Sequence, residues 1–216
     1  VTSLRHSLDL LGPDADAALR CDLLIELGAA QYRCAQPEHR QTLLEAAQLA
    51  RELDDRDRLI AAVLANSRGW WSSTLEIDHE RVAGIETALA MSDGADAGVR
   101  ARLLASWAME NVRDPGSRAE VLASSVDALE LAEGYDDEAA LTMALARRYT
   151  VLYALFEQPA ECLHLGERLL GIANRTGDRM TRLTASVCLA QASMRFGEFH
   201  LSDRHTQQAV QLARTL

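Results

Sequence analysis

Leucine followed by a small residue recurs along the chain at intervals close to 40 residues. One series, with isoleucine at one position, has intervals of 40, 42, 41 and 40 and consists of Leu49-Ala50, Leu89-Ala90, Leu131-Ala132, Ile172-Ala173 and Leu212-Ala213. A second series lies between these pairs, with intervals of 37, 40, 41 and 44, and consists of Leu27-Gly28, Leu64-Ala65, Leu104-Ala105, Leu145-Ala146 and Leu189-Ala190. Two interleaved series indicate two helices in each repeat, and the small residue allows a partner helix to approach closely.

Residues typical of turns and helix caps separate the apolar segments, as in Asp114-Pro115-Gly116-Ser117 and Thr176-Gly177-Asp178. We therefore predict five helical hairpins. The first helices are predicted at about 15–35, 56–70, 96–112, 137–156 and 178–196. The second helices are predicted at about 38–53, 78–91, 117–133, 159–175 and 199–215. Residues 3–11 carry three leucines on one face and are predicted to end a preceding repeat.

Each hairpin has an apolar face that it cannot bury alone, so successive hairpins must stack. The predicted fold is all-α: a right-handed α-solenoid of about five hairpins, tetratricopeptide-like, with a period of about 41 residues. It is predicted to form one domain over residues 1–216, with hairpins at about 15–53, 56–91, 96–133, 137–175 and 178–215. The period exceeds the roughly 34 residues of standard tetratricopeptide units, so the repeats are divergent.

Composition narrows the classes of function. The net charge of −10 repels phosphate backbones, which argues against direct binding of nucleic acid. No segment approaches the roughly 20 apolar residues of a transmembrane helix, and the first residues have no signal-peptide pattern. The four cysteines show no CxxC spacing, and Cys21 and Cys34 lie too far apart on one predicted helix for a disulfide. We predict free thiols and a cytoplasmic location.

No motif in the sequence supports catalysis. The chain lacks GxSxG, HExxH and GxxxxGK[ST] patterns, so we predict a protein that is not an enzyme and needs no cofactor. Glu161 and His164 have the spacing of a helical metal half-site, but a third ligand is missing from the pattern. We therefore predict no catalytic residues and no metal site.

Candidate binding residues fall into two groups. The first is the adjacent pair Trp70 and Trp71, which either packs between hairpins and covers a loop or anchors a partner. The second group lies just past the small residues of the first helices, where a solenoid would line its concave surface. It consists of Gln31, Asn66, Trp107, Asn111, Arg148, Tyr149, Gln191 and Arg195.

The second group suits a particular class of partner. Aromatic rings beside an amide and a guanidinium would bind a protein segment, a peptide or a small anionic effector. The alternative is that these residues are ordinary surface or merely pack hairpins together, and Trp107 is the member most expected to be core.

Four segments resemble one class of known proteins. They read ALRCDLLIELGAAQYRCAQPEHRQTLLEAA from residue 18, NSRGWWSSTLEIDHERV from 66, VRARLLASWA from 99 and FGEFHLSDRHTQQAVQLA from 196. They resemble the tetratricopeptide-like repeat region of actinobacterial signalling proteins with an AAA/STAND ATPase module. These include LuxR-type transcriptional regulators and related cyclase-linked ATPases.

The resemblance implies a sensor or protein-interaction module of a larger, ATP-dependent transcriptional regulator. Its partners would include the ATPase and the DNA-binding or cyclase domains of the same longer chain. The first residue is Val and a half-repeat comes first, so we expect a piece of a longer protein, with a processed free-standing protein as the alternative.

Two other functions are weighed against this one. A fixed oligomerisation scaffold without a ligand is the main alternative, and a stand-alone enzyme is a distant one. Apolar residues near both ends of the array predict self-association there: Leu4, Leu8 and Leu11 at one end, Val210 and Leu212 at the other.

Overall fold

The computed structural model describes residues 1–12, 16–68, 76–92, 94 and 96–215. Within these residues the protein is all-helical, without a β-strand. A 3-10 turn at Pro115–Ser117 accompanies the α-helices. These are α1 (Thr2–Leu10), α2 (Ala17–Arg33), α3 (His39–Glu52), α4 (Arg56–Ala65), α5 (His79–Ala90), α6 (Ala97–Asn111), α7 (Arg118–Glu133), α8 (Glu138–Leu155), α9 (Pro159–Thr176), α10 (Arg179–Arg195) and α11 (Phe199–Ala213).

Helix boundaries agree with the sequence prediction to within about three residues, except at the end of α4. That helix was predicted to reach residue 70, but it ends at Ala65. Asn66 leaves the helix, where its amide nitrogen donates to the Arg40 carbonyl (3.4 Å) and its Oδ1 accepts from Arg81 Nε (3.0 Å). An amide side chain that bonds to neighbouring elements competes with helix continuation, which explains the early end.

An aspartate caps the first helix of every predicted hairpin. Each carboxylate accepts a hydrogen bond from a backbone N–H in the first turn, as Ser, Thr, Asp and Asn caps commonly do. The five caps are Asp16, Asp55, Asp96, Asp137 and Asp178, at intervals of 39, 41, 41 and 41 residues. The carboxylates at these turns are therefore caps, as the sequence indicated.

The chain divides into two compact units, Val1–Ala95 and Asp96–Leu216. Unit 1 contains α1 to α5, where α3 packs on both α2 and α4. Its core is aliphatic, with Leu43 and Leu59 fully buried. Cys21 is buried on α2, and its thiol donates to the Ala46 carbonyl of α3 (3.4 Å).

Unit 2 contains α6 to α11, and each helix packs on the next one in the chain. The first helices α6 and α8 also pack on each other, and so do α8 and α10 at a smaller contact. Four alanines of α6, α7 and α8 form one buried cluster: Ala101, Ala132, Ala140 and Ala144. Small residues thus bring the helices close together, and burial of leucine side chains supplies much of the stability.

Among the helices that the structure describes, none is both long enough and apolar enough to cross a membrane.

Candidate functional site

The turn between α8 and α9 holds an aromatic residue in an unfavourable backbone conformation. Phe156 ends α8 in the left-handed region, with φ +59° and ψ +31°. Its side chain is 84 % exposed, so packing in the core does not explain the choice of phenylalanine. A bulky residue in this conformation costs roughly 1–2 kcal/mol relative to glycine. Strain of this kind is found preferentially at functional sites.

Arg195 from the end of α10 lies over this turn. Its guanidinium carbon is 4.6 Å from the centroid of the Tyr153 ring and 4.8 Å from that of Phe156. Its Nη2 also donates to the Tyr153 carbonyl oxygen (3.0 Å). The cation–π contacts and the hydrogen bond join the α8–α9 turn to the start of the α10–α11 turn.

Apolar side chains continue through the α10–α11 turn. Phe196 and Phe199 flank Gly197 and are 46 % and 70 % exposed, while Met194 before them is 57 % exposed. The chain has three phenylalanines, and all three lie exposed at these two turns. We call the side chains at and beside these two turns the turn surface. Its members are Tyr153, Phe156, Met194, Arg195, Phe196, Phe199 and Leu201.

The buried Tyr149 contacts the turn surface through Tyr153. Tyr149 stacks on Tyr153, with ring centroids 5.9 Å apart and planes 12° apart. Its hydroxyl donates to the Cys188 carbonyl (2.8 Å) and lies 3.2 Å from Gln191 Oε1. Burial raises the pKa of Tyr149, so its proton and this bond persist at all physiological pH values. The structure thus brings together three residues predicted from the sequence: Tyr149, Gln191 and Arg195. Tyr149 is buried, and Arg195 is partly exposed.

Arg148 points to a different set of partners. Its guanidinium forms a two-pronged salt bridge with Glu161 of α9, in which Nη2 lies 2.9 Å from Oε2, and its Nη1 donates to Ser125 Oγ of α7 (2.9 Å). Arg148 is buried and Glu161 is partly exposed. The geometry gives Arg148 a structural role that joins three helices and leaves it little access to a ligand.

The other predicted groove residues in unit 2 are also buried. Trp107 and Asn111 lie on α6, and the Asn111 amide donates back to the Trp107 carbonyl of its own helix (3.0 Å). This bond occupies a carbonyl at the end of α6. Trp107, like Tyr149, is therefore buried in helix packing in the described structure.

The predicted residues of unit 1 have separate surroundings. Gln31 is buried, and its Oε1 has no hydrogen-bond partner within the described ranges. Asn66 lies beside Arg40, whose guanidinium donates to both Asp78 carboxylate oxygens (2.7 Å each) and to Glu80 (2.6 Å). Trp70 and Trp71 lie outside the described residues.

Histidines, cysteines and carboxylates are the remaining candidates for chemistry in the part of the chain that is described. No cluster of three or more His, Cys, Asp or Glu there is arranged to hold a metal ion. Burial raises the pKa of Cys21, Cys162 and Cys188 above its ordinary value, which makes these thiols poor nucleophiles. Glu161 is committed to Arg148, which leaves the Glu161 and His164 half-site without its carboxylate.

No protein-family model matches the chain, and no curated protein matches it significantly. The resemblance to repeat regions of ATPase signalling proteins therefore stays a prediction.

Reasoning from the sequence predicted Arg195 but missed the rest of the turn surface, although a signal for it was present. In an Ala- and Leu-rich chain with three phenylalanines, all three stand beside turn residues: Phe156 just before Gln158-Pro159, and Phe196 and Phe199 around Gly197. Aromatic residues next to predicted turns, rather than at core positions of helices, indicate exposed apolar area.

Proposed function

We propose that the protein is a helical-repeat module whose turn surface binds a segment of a partner protein. The observation that carries this proposal is the placement of all three phenylalanines, exposed, on two turns that Arg195 joins. Aromatic residues, Met and Arg are the residues enriched in protein interfaces. A core built mainly from Ala and Leu does not need these rings, so their exposure favours recognition.

The repeat plan supports the finer fold assignment, a right-handed tetratricopeptide-like solenoid with a period of about 41 residues. Besides the regularly spaced aspartate caps, side-chain contacts recur between residues about one period apart. Pairs separated by 36 to 39 residues include Asp22 with Arg58, Arg40 with Asp78, Asp96 with Tyr135, and Arg118 with Glu157. Stacked repeats of similar structure produce such contacts between equivalent positions.

The chemistry of the turn surface specifies the partner segment. Phe156, Phe199 and Met194 offer apolar area of the kind that buries an aromatic or aliphatic anchor. Arg195 is held by ring contacts and a carbonyl oxygen, and its charge is available to a carboxylate on the partner. The expected partner is thus a segment with apolar anchors and at least one acidic residue.

In a larger regulator, binding at the turns would shift α8 and α10 relative to each other, because Arg195 joins them. Such a shift is how the module would relay partner binding to ATPase, DNA-binding or cyclase domains, as the sequence resemblance implies. A fixed oligomerisation scaffold is the second candidate, supported by the exposed or half-buried leucines of α1.

Selection of displayed random peptides on the immobilised protein tests the proposal. The expected outcome is a family of ligands that share apolar anchors and an acidic residue and that compete with one another. Selection of no specific ligand, together with concentration-dependent oligomers, would favour the scaffold. Ligands that bind equally well after the phenylalanines are replaced would contradict the proposed surface.

A further inference from the structure

A cavity of about 610 Å³ lies between α9, α10 and α11 of unit 2, and none of the turn-surface residues line it. Arg182 of α10 and Arg204 and His205 of α11 are among its lining residues. No Asp or Glu is found among the described residues that line it. In a chain with a net charge of −10, this cavity is a local reversal of charge that attracts anions.

A cavity of about 600 Å³ in unit 1 provides a contrast. Its lining also contains arginines, but Arg40 there is bound to the carboxylates of Asp78 and Glu80. The three arginines of this lining stand beside three carboxylates, those of Glu76, Asp78 and Glu80, so the lining carries little net positive charge. Such a site has little electrostatic affinity left for an anionic ligand.

Arg182 has only uncharged acceptors in the described structure. Its Nη2 donates to Asn174 Oδ1 (3.2 Å) and to the Ala173 carbonyl (3.4 Å), both at the end of α9. Its Nε is buried without a hydrogen-bond partner within the described residues. Arg182 is half-buried overall, and its unpaired buried Nε donor costs free energy. An anion in the cavity would offset part of this cost.

Arg204 is exposed and lines the cavity from α11, whereas Arg182 lines it from α10. Gln208 and Gln211 follow it along the same helix and add amide donors, while Leu170 and Leu212 supply apolar surface. The volume lies in the range of roughly 300–1,000 Å³ that is typical of small-molecule sites. A lining of this kind suits a ligand with one anionic group. The rest of the ligand would contact the leucines with apolar atoms or the glutamines with polar ones.

We propose that the cavity between α9, α10 and α11 binds an organic anion through its phosphate or carboxylate group, with Arg182 and Arg204 as the pairing cations. This site goes beyond the proposed protein-binding function, because it shares no residue with the turn surface. The module would then respond to a small anionic molecule as well as to a protein segment.

Isothermal titration calorimetry of the whole chain tests the proposal with three probes: inorganic phosphate, a nucleoside monophosphate and citrate. The variants are Arg204→Gln and Arg182→Gln, and the matched control is Arg113→Gln, which removes the same charge from an exposed residue outside the cavity. Arg204→Gln is the safer variant, because an exposed side chain contributes little to folding.

At least one probe should bind, and each cavity variant should weaken that binding by about tenfold or more, whereas the control should change it less than about threefold. Binding of the phosphates alone or of citrate alone would support the site and identify its anionic group. The proposal is overturned if no probe binds up to about 10 mM. It is also overturned if Arg204→Gln changes affinity no more than the control does.

Discussion

Leu43 of α3 packs directly on the backbone of Gly28 in α2, so closely that a Cβ added to Gly28 would lie 2.4 Å from Leu43 Cγ. Leu43 is fully buried. Gly28 is the small residue of the pair Leu27-Gly28, one of the series that predicted the hairpins. The contact shows how that small residue allows two helices to approach.

Substitution of Gly28 by Ala should lower the free energy of unfolding by about 1–3 kcal/mol, because it overpacks the α2–α3 interface. The matched control is Gly171→Ala in the middle of α9, where nothing lies within 4 Å of the added Cβ. That substitution should raise stability by about 0.5–1 kcal/mol through helix propensity. Urea denaturation of both variants measures the difference, and equal effects would rule out the close contact.

The buried salt bridge between Arg148 and Glu161 predicts a large loss of stability when one partner is removed. Glu161→Ala should cost about 3–5 kcal/mol, because it leaves the Arg148 charge buried and unpaired. The exposed pair Arg175 and Glu138 is the control, and Glu138→Ala should cost less than about 1 kcal/mol. Denaturation midpoints that fall by similar amounts in the two variants would show that Arg148 is solvated.

Acid should weaken unit 1 through Asp78. Burial opposes the charged form of Asp78, but hydrogen bonds from Arg40 and the Arg81 backbone N–H outweigh it and lower the pKa from 3.8 to about 2. The folded-state pKa lies below the unfolded value, so the ionised group stabilises the fold above pH 3.8. That contribution is lost as the pH falls toward 2.

The variant Asp78→Asn keeps a capping side chain at the start of α5 but removes the charge. It should lower stability at neutral pH and should lose less stability than the parent protein between pH 3.8 and 2. Unfolding measured across that range by circular dichroism checks the prediction. An unchanged acid dependence in the variant would mean that Asp78 does not carry the effect.

The leucines of α1 predict self-association. Helix α1 has no buried residue, and its half-buried leucines are Leu4 and Leu8, with Leu11 just beyond its end. We expect sedimentation velocity to show oligomers that grow with concentration and that disappear when these three leucines are replaced by serine. A parent protein that remains monomeric at high concentration would count against association through this end.

Much of the helical architecture was predictable from the sequence, because small residues and aspartate caps recur with the repeat and act locally. Asn66 shows the limit: its early exit from α4 depends on Arg40 and Arg81, which are distant in sequence. The surroundings of the predicted binding residues were harder to predict. A polar residue on a first helix gives the same sequence pattern whether it faces solvent or a neighbouring helix. Arg148 and Tyr149 are adjacent, yet their partners lie on α9 and α10.

Binding of a protein segment at the turn surface would use exposed side chains that the fold does not need. Phe156→Gly removes the ring and relieves roughly 1–2 kcal/mol of backbone strain. This relief offsets the lost cation–π contact of about 0.5–1 kcal/mol and the added freedom of the unfolded chain. The variant should therefore keep nearly the parent stability. Met194 and Met180 provide a second matched pair, 57 % and 55 % exposed at opposite ends of α10.

The most direct test is the affinity of a peptide selected on the parent protein, measured by fluorescence anisotropy against Phe156→Gly, Met194→Ser and Met180→Ser. We expect Phe156→Gly to weaken binding at least about thirtyfold, the loss of one hot-spot residue, while its melting temperature stays close to that of the parent. Met194→Ser should also weaken binding, and Met180→Ser should not. Full affinity in Phe156→Gly and Met194→Ser, or equal losses of affinity in all three variants, would contradict binding at the turn surface.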